Sequence, residues 1–183
     1  MRIGVFMADG FEEIEALATV DLLKRDGLDV ETISVTMDSE VVGSHGILTR
    51  TDFTVSECSM SFFDMIVLPG GPGHKNLEKC TKLINHIKWF NEDGKYIAAI
   101  CASPSILGRA GVLEGRRATC FPGFEGELKG ATYTGADAEW DHNIITGRSA
   151  GCTIPFALKI VEATKGHDAA AKLAKDICYD YFK

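Results

Sequence analysis

The chain has 183 residues, 45% of them hydrophobic and 25% charged, which suits one domain over 1–183 with a full apolar core. A formal net charge of -7 leaves no basic footprint and argues against a nucleic-acid partner. No apolar run approaches the ~20 residues that span a bilayer, so no membrane association is expected.

Arg2 to Met7 reads as a first strand, too short for the apolar core of a signal peptide and without a small-residue cleavage site. Glu12 to Arg25 reads as a helix with Ile14, Leu17, Ala18 and Leu22 at helical spacing, and Gly27 is placed to end it. Val30 to Val35 is a second strand. Val41 to Val55 mixes polar and apolar residues around Gly43 and Gly46, so a small antiparallel excursion is expected. Asp64 to Leu68 is a buried strand that runs into Pro69-Gly70-Gly71-Pro72-Gly73. Leu77 to Asn91 is helical, with Leu83, Ile84, Ile87 and Phe90 on one face.

The run Lys95 to Ile100 is short and apolar, as a fully buried strand is, and Pro104 follows in a place tolerated only in a first helical turn. Cys101 therefore lies where strand breaks into helix. Ser105 to Arg109 continues the helix, Arg117 to Cys120 reads as a further strand, and Glu139 to Thr146 as a hairpin around Asp141-His142-Asn143. Helices over Thr153 to Thr164 and Asp168 to Tyr179 close the pattern. Strand alternating with helix implies an α/β fold whose mainly parallel sheet is covered on both faces. Ligands of such sheets sit outside the carboxyl ends of the strands. The segments Ala8 to Phe11, Pro69 to Gly73 and Cys101 all fall at such ends.

Six cysteines (58, 80, 101, 120, 152 and 178) carry no C-x-x-C pair, which fits neither a zinc site nor a disulfide framework; a reduced, cytoplasmic chain is expected. Five of them read as small buried hydrophobes. Cys101 does not, because a sharp turn exposes a nucleophile above a sheet and a helix N-terminus favours the thiolate. Glu12 and Glu13 are accounted for by the helix dipole. Glu15 lies on or near the apolar face, where a carboxylate is costly unless paired or protonated. A protonated Glu15 could bond the thiolate and pass its proton to a substrate carbon. Pro69 to Gly73 lacks the residues of a phosphate loop; its glycines suit close approach of N–H groups to a developing oxyanion. Among the histidines only His74, after this turn, is placed to assist, and a full Cys-His-acid triad is not supported.

Three stretches, Asp9-Gly10-Phe11-Glu12-Glu13-Ile14-Glu15, Asp64-Met65-Ile66-Val67-Leu68-Pro69-Gly70-Gly71 and Ala98-Ala99-Ile100-Cys101-Ala102-Ser103-Pro104, together with Thr146-Gly147-Arg148-Ser149-Ala150-Gly151, make the chain recognisable. It resembles the ThiJ/PfpI superfamily, in the branch of the Parkinson-disease protein deglycase and its bacterial relatives. The resemblance implies a flavodoxin-like three-layer sandwich with a nucleophile elbow, acting as a homodimer and without a cofactor. It implies Cys101 as a nucleophilic, peroxide-sensitive cysteine and Glu15 as the buried acid beside it. Gly70, Gly71 and the Ala102 amide then stand on the oxyanion side, with Arg148 near the site.

Members of this superfamily act on glyoxals and early glycation adducts, sense oxidation, or serve as chaperones. Small carbonyl substrates or glycated side chains are thus the expected partners. A redox sensor or chaperone using the same cysteine is the alternative. Ala102 stands where the peptidase branch has a histidine, which counts against proteolysis. Phe121 stands where the deglycase branch often has one, which leaves His74 and Cys120 as candidate auxiliary groups. A flavin- or nucleotide-binding module is disfavoured by the missing phosphate signature.

Overall fold

The computed structural model describes residues 1–181. In chain order, β1 (Arg2–Met7) leads into α1 (Glu13–Arg25) and β2 (Asp29–Ser34). The short antiparallel pair β3 (Glu40–Val42) and β4 (Leu48–Arg50) follows, then β5 (Phe53–Thr54) and β6 (Met65–Leu68). Next come α2 (His74–Lys79), α3 (Thr81–Glu92), β7 (Tyr96–Ile100) and α4 (Pro104–Arg109). β8 (Arg117–Ala118) pairs in parallel with β9 (Thr132–Tyr133), and β10 (Ala138–Asp141) turns into β11 (Ile144–Gly147). The helices α5 (Thr153–Lys165) and α6 (His167–Asp176) follow.

Among the described residues, seven strands form one sheet in the order β10-β11-β7-β6-β1-β2-β5. All neighbours are parallel except β10 and β11. Its strands are buried on both faces because alternate side chains enter two cores. Val5, Met7, Met65, Val67, Ala98 and Ile100 join the core under α1, α5 and α6. Phe6, Ile66, Leu68, Ile97 and Ala99 join the other, with Leu83, Ile87 and Phe90 of α3 and Ile106 and Leu107 of α4. The register pairs Val5 with Val67, Leu68 with Ala99 and Ile100 with Gly147. The chain therefore leaves β1, β6, β7 and β11 along one carboxyl edge, and the three segments singled out in the sequence meet there. No helix among the described residues is long and apolar enough to cross a membrane.

Several elements differ from the pattern read in the sequence, among them β9, which it did not include, and α6, which ends at Asp176 and not Tyr179. The expected helix over Leu77 to Asn91 is two helices, because Cys80 is extended (ψ 93°) and breaks the ladder between α2 and α3. The expected strand over Arg117 to Cys120 stops at Ala118, since the next N–H, that of Thr119, goes to the Thr146 hydroxyl at 2.9 Å. β5, at the sheet edge, is only two residues long and gives no periodic signal. The apolar face of α1 is also rotated. Ile14 is 51% exposed and Leu17 and Ala18 are half-buried, while Glu15, Ala16, Thr19, Leu22 and Leu23 face the interior. The small residues Ala16 and Thr19 let α1 lie close to the sheet and turn Glu15, not Ile14, inward.

Candidate active site

Cys101 follows β7 with φ 65°, a left-handed conformation that a residue with a Cβ adopts only under constraint. Its own hydrogen bonds supply that constraint. The Cys101 N–H donates to Gly147 O at 2.9 Å, and Phe121 N–H donates to Cys101 O at 2.8 Å. Beyond it, the Ser103 hydroxyl donates to Pro69 O at 2.6 Å and the Ser105 hydroxyl to Ala102 O at 2.6 Å. The bend is thus tied to the loop after β6 and to the loop after β8. Cys101 is partly exposed, whereas Cys120 is fully buried.

Glu15 is 1% exposed. Its Oε2 accepts the Gly70 N–H at 2.8 Å, its Oε1 is buried without a hydrogen-bond partner, and the carboxyl and the Cys101 thiol act on each other's ionisation. Gly70 is required here: a Cβ would fall 2.6 Å from Cys101 Cβ and 2.7 Å from Glu15 Oε2. Gly71, at φ +81°, packs backbone on backbone against the loop after β1, where a Cβ would stand 2.6 Å from both Glu12 N and Gly10 O. The backbone amides of Gly71 and Ala102 favour the charged form of the Cys101 sulfur.

The electrostatics follow from this burial. Desolvation pushes the Glu15 carboxyl up to about 7, against the opposing pull of the Cys101 thiol and the Gly70 N–H. Desolvation also pushes the Cys101 thiol up to about 12, with the negative charge of Glu15 adding to the rise. The Gly71 and Ala102 amides pull the other way. The expectation of a thiolate favoured by a helix N-terminus is therefore corrected: α4 has only six residues, and burial and Glu15 outweigh it. The pair carries its first negative charge near neutral pH and resists a second. When that charge resides on sulfur, Glu15 keeps its proton and becomes a donor to the thiolate.

The remaining sequence candidates separate. The Gly70 N–H, expected on the oxyanion side, is committed to Glu15 instead. Arg148 is turned to Asp137 in an ion pair of 2.6 Å, and Cys152 Sγ lies 3.5 Å from the same carboxylate oxygen. His74 is buried with Nδ1 2.8 Å from Gly71 O. Cys120 belongs to the core beneath α4, and burial raises its thiol to about 11.

Glu13, read as a helix-dipole residue, does more. Its carboxylate, 7% exposed, accepts the His45 N–H at 2.7 Å and the Ser44 hydroxyl at 3.0 Å, with His45 Nδ1 at 2.8 Å. It thereby holds the β3–β4 turn against the start of α1. No local signal links these residues, which lie 31 and 32 positions apart. Glu12, Glu13 and His45 are also the described trio whose ligand atoms lie close enough to hold a metal ion, but those atoms are occupied by one another and by Ser44. A separate cavity of about 200 Å³, lined by Arg2, Glu31, Phe53, Cys58 and Phe62, includes none of the candidate residues.

Comparison with known proteins identifies similar sequences and structures. The sequence profile of the DJ-1/PfpI family matches residues 1–163. Protein DJ-1 homolog B of Arabidopsis thaliana is 38% identical over 94% of the chain. A deglycase of Pyrococcus abyssi is 32% identical over 90% of this chain and 100% of its own. A glutathione-independent glyoxalase of Caenorhabditis elegans is 31% identical over 91% of this chain and 90% of its own. The chain spans only 40% of the length of the Arabidopsis homolog B and 44% of homolog A. Among solved structures, oxidized DJ-1 of Toxoplasma gondii superposes with a TM-score of 0.94 at 31% identity, covering 98% of this chain and 99% of that one.

Proposed function

The chain belongs to the DJ-1/PfpI family, and from that premise we propose that it is a cofactor-independent enzyme acting on reactive dicarbonyls or early glycation adducts. One observation carries the reading: a buried carboxyl set beside a partly exposed thiol on a strained bend, both close against Gly70. The names of the Pyrococcus and Caenorhabditis relatives support the substrate class.

With methylglyoxal the chemistry balances within the substrate. The Cys101 thiolate adds to the aldehyde carbon, forming a C–S bond, and the carbonyl electron pair moves to oxygen. The Gly71 and Ala102 amides supply donors for that oxyanion. Glu15, protonated while the sulfur bears the charge, gives its proton to the oxyanion; as a carboxylate it then takes the proton from the thiohemiacetal carbon and delivers it to the neighbouring carbon, while the hydroxyl proton passes from the first oxygen to the second. The first carbon reaches the acyl level while the second is reduced to an alcohol, leaving a lactoyl thioester on Cys101. Water cleaves the C–S bond and releases lactate and the thiol. No external oxidant or reductant is consumed. Purified protein given methylglyoxal without glutathione is expected to yield one lactate per dicarbonyl lost. Lactate no higher than in a protein-free control rejects the proposal.

Redox sensing by the same sulfur is a second reading, supported by the unpartnered buried Oε1 of Glu15, to which an oxidised sulfur could offer a hydrogen-bonding oxygen. Peptide mass spectrometry after graded peroxide is expected to show Cys101 gaining oxygen before Cys58, Cys80 and Cys178. Oxidation beginning at the exposed Cys178 removes this reading.

We propose that the chain pairs with a second copy through the exposed apolar residues Ile14, Ile47 and Leu48, beside the turn that Glu13 anchors. Ile14→Asp is expected to convert a dimer to a monomer in sedimentation equilibrium; an unchanged mass places the interface elsewhere.

A further inference from the structure

Ser103 stands two residues past the reactive sulfur, yet it is wholly buried and has no direct part in the chemistry above. Its N–H donates to Ile100 O at 3.1 Å, which fastens it to the bend that presents Cys101. Its hydroxyl donates to Pro69 O at 2.6 Å. A carbonyl only accepts, so the direction of that bond is fixed. Both partners are shut away from water, where a hydrogen bond is stronger than at the surface.

Pro69 O matters because of the peptide it belongs to. The plane that carries the Pro69 carbonyl also carries the Gly70 N–H, and that N–H donates to Glu15 Oε2 at 2.8 Å. Two bonds therefore lie in series across one rigid peptide, from the Ser103 hydroxyl to Pro69 O and from Gly70 N–H to Glu15. Hydrogen bonds in such a chain polarise one another. The next peptide is held separately, by Glu12 N–H on Gly70 O at 3.0 Å. Gly70 cannot be stiffened by a side chain, since a Cβ would fall 2.6 Å from Cys101 Cβ and 3.0 Å from Ile100 O. The tilt of the Pro69–Gly70 plane is thus set at its carbonyl end by Ser103 and at its N–H end by Glu15.

Resting on the function proposed above, we infer that Ser103 is a positioning residue: by holding the Pro69–Gly70 peptide it keeps the Gly70 N–H on the Glu15 carboxyl, and so ties the group that moves the proton to the bend that carries the sulfur. Its hydroxyl is spent on Pro69 and acts through that peptide alone.

The test follows the Gly70 amide proton by NMR in glycine-labelled protein as pH is raised. The shift of this proton reports the charge on the carboxyl that it bonds, with or without turnover. Ser103→Ala removes the hydroxyl, and Ser103→Cys fills the space with a weaker donor. Cys101 and Glu12, titratable groups that act on Glu15, stay in place in both. A carboxylate that loses a well-aimed N–H is less stable, so the midpoint is expected to rise by about half a pH unit in Ser103→Ala and by less in Ser103→Cys. For methylglyoxal, Ser103→Ala is expected to lower kcat about tenfold with KM within about twofold, the signature of a misaimed group rather than lost binding. In a Glu15→Gln background the same change is expected to lower kcat by no more than about twofold, since the group it aims is already disabled.

An unchanged Gly70 midpoint in Ser103→Ala overturns the inference. So does a loss of kcat that is as large in the Glu15→Gln background as in the wild type, since Ser103 then acts by another route. Should Ser103→Ala fail to fold, Ser103→Cys decides by the same midpoint. Should the wild type make no lactate, the proposed function fails, but the Gly70 titration still tests the tie between Ser103 and Glu15.

Discussion

Cys101→Ser is expected to convert methylglyoxal to lactate at no more than about a thousandth of the wild-type rate, while folding normally. A hydroxyl fits the space of the thiol and keeps the backbone bonds of residue 101 to Gly147 and Phe121, so the change isolates chemistry from structure. Its oxygen is far harder to ionise than sulfur in a site where even the thiol is pushed up to about 12. The surrounding backbone remains, so substrate binding is expected to persist while turnover is lost. Lactate production within tenfold of wild type, from protein shown by mass spectrometry to carry serine, would place the nucleophile elsewhere. Cys120 is a poor substitute, being wholly buried with its thiol raised to about 11.

Glu15→Gln is expected to have two separable effects. The amide keeps the shape of the carboxyl but cannot carry a proton between carbons, so kcat is expected to fall by about 10²- to 10⁴-fold, the usual worth of a positioned acid-base group. Stability is expected to move the other way. The folded protein holds the Glu15 proton up to about 7, against 4.5 for an ordinary glutamate. The folded state thus binds this proton more tightly than the unfolded chain does. The stabilising contribution is whole below pH 4.5 and is lost as pH rises through about 7. Glutamine has no such loss. The unfolding free energy of the variant relative to wild type is therefore expected to rise by about 3 kcal/mol between pH 4.5 and pH 8.

Urea midpoints at the two pH values measure that difference; a gap that does not change with pH would show that the carboxyl is not held protonated by burial. The alkylation profile of Cys101 gives a third view. In the wild type the pair loses protons in two steps, the first near neutral pH, whereas Glu15→Gln leaves a single step.

The legibility of this site in the sequence varied by residue for physical reasons. Cys101 was readable because a strand, a thiol and Pro104 follow one another within a few positions, which marks where the bend falls, although bonds to Gly147 and Phe121 hold its conformation. Glu15 was readable only in part. Its nearness to the apolar face was visible, but α1 turns so that Ile14 points outward and Glu15 inward, which depends on the close seat of Ala16 and Thr19 on the sheet. Gly70 and Gly71 were identifiable as a loop of close approach. That the Gly70 N–H serves the Glu15 carboxyl depends on how two loops 55 residues apart seat against each other. The tie of Glu13 to His45, 32 positions apart, left no trace, because a hydrogen bond between distant segments has no periodicity.

By itself, then, the sequence determined the alternation of buried strands and helices, the edge of the sheet where its loops gather, and the thiol at the break between β7 and α4. Those are set by short-range patterning and by the stereochemistry of proline and glycine. The tertiary structure alone decided the state of that thiol. Desolvation and a shared proton are properties of groups brought together in space, and the same residues carry ordinary acidities until the fold removes water from between them.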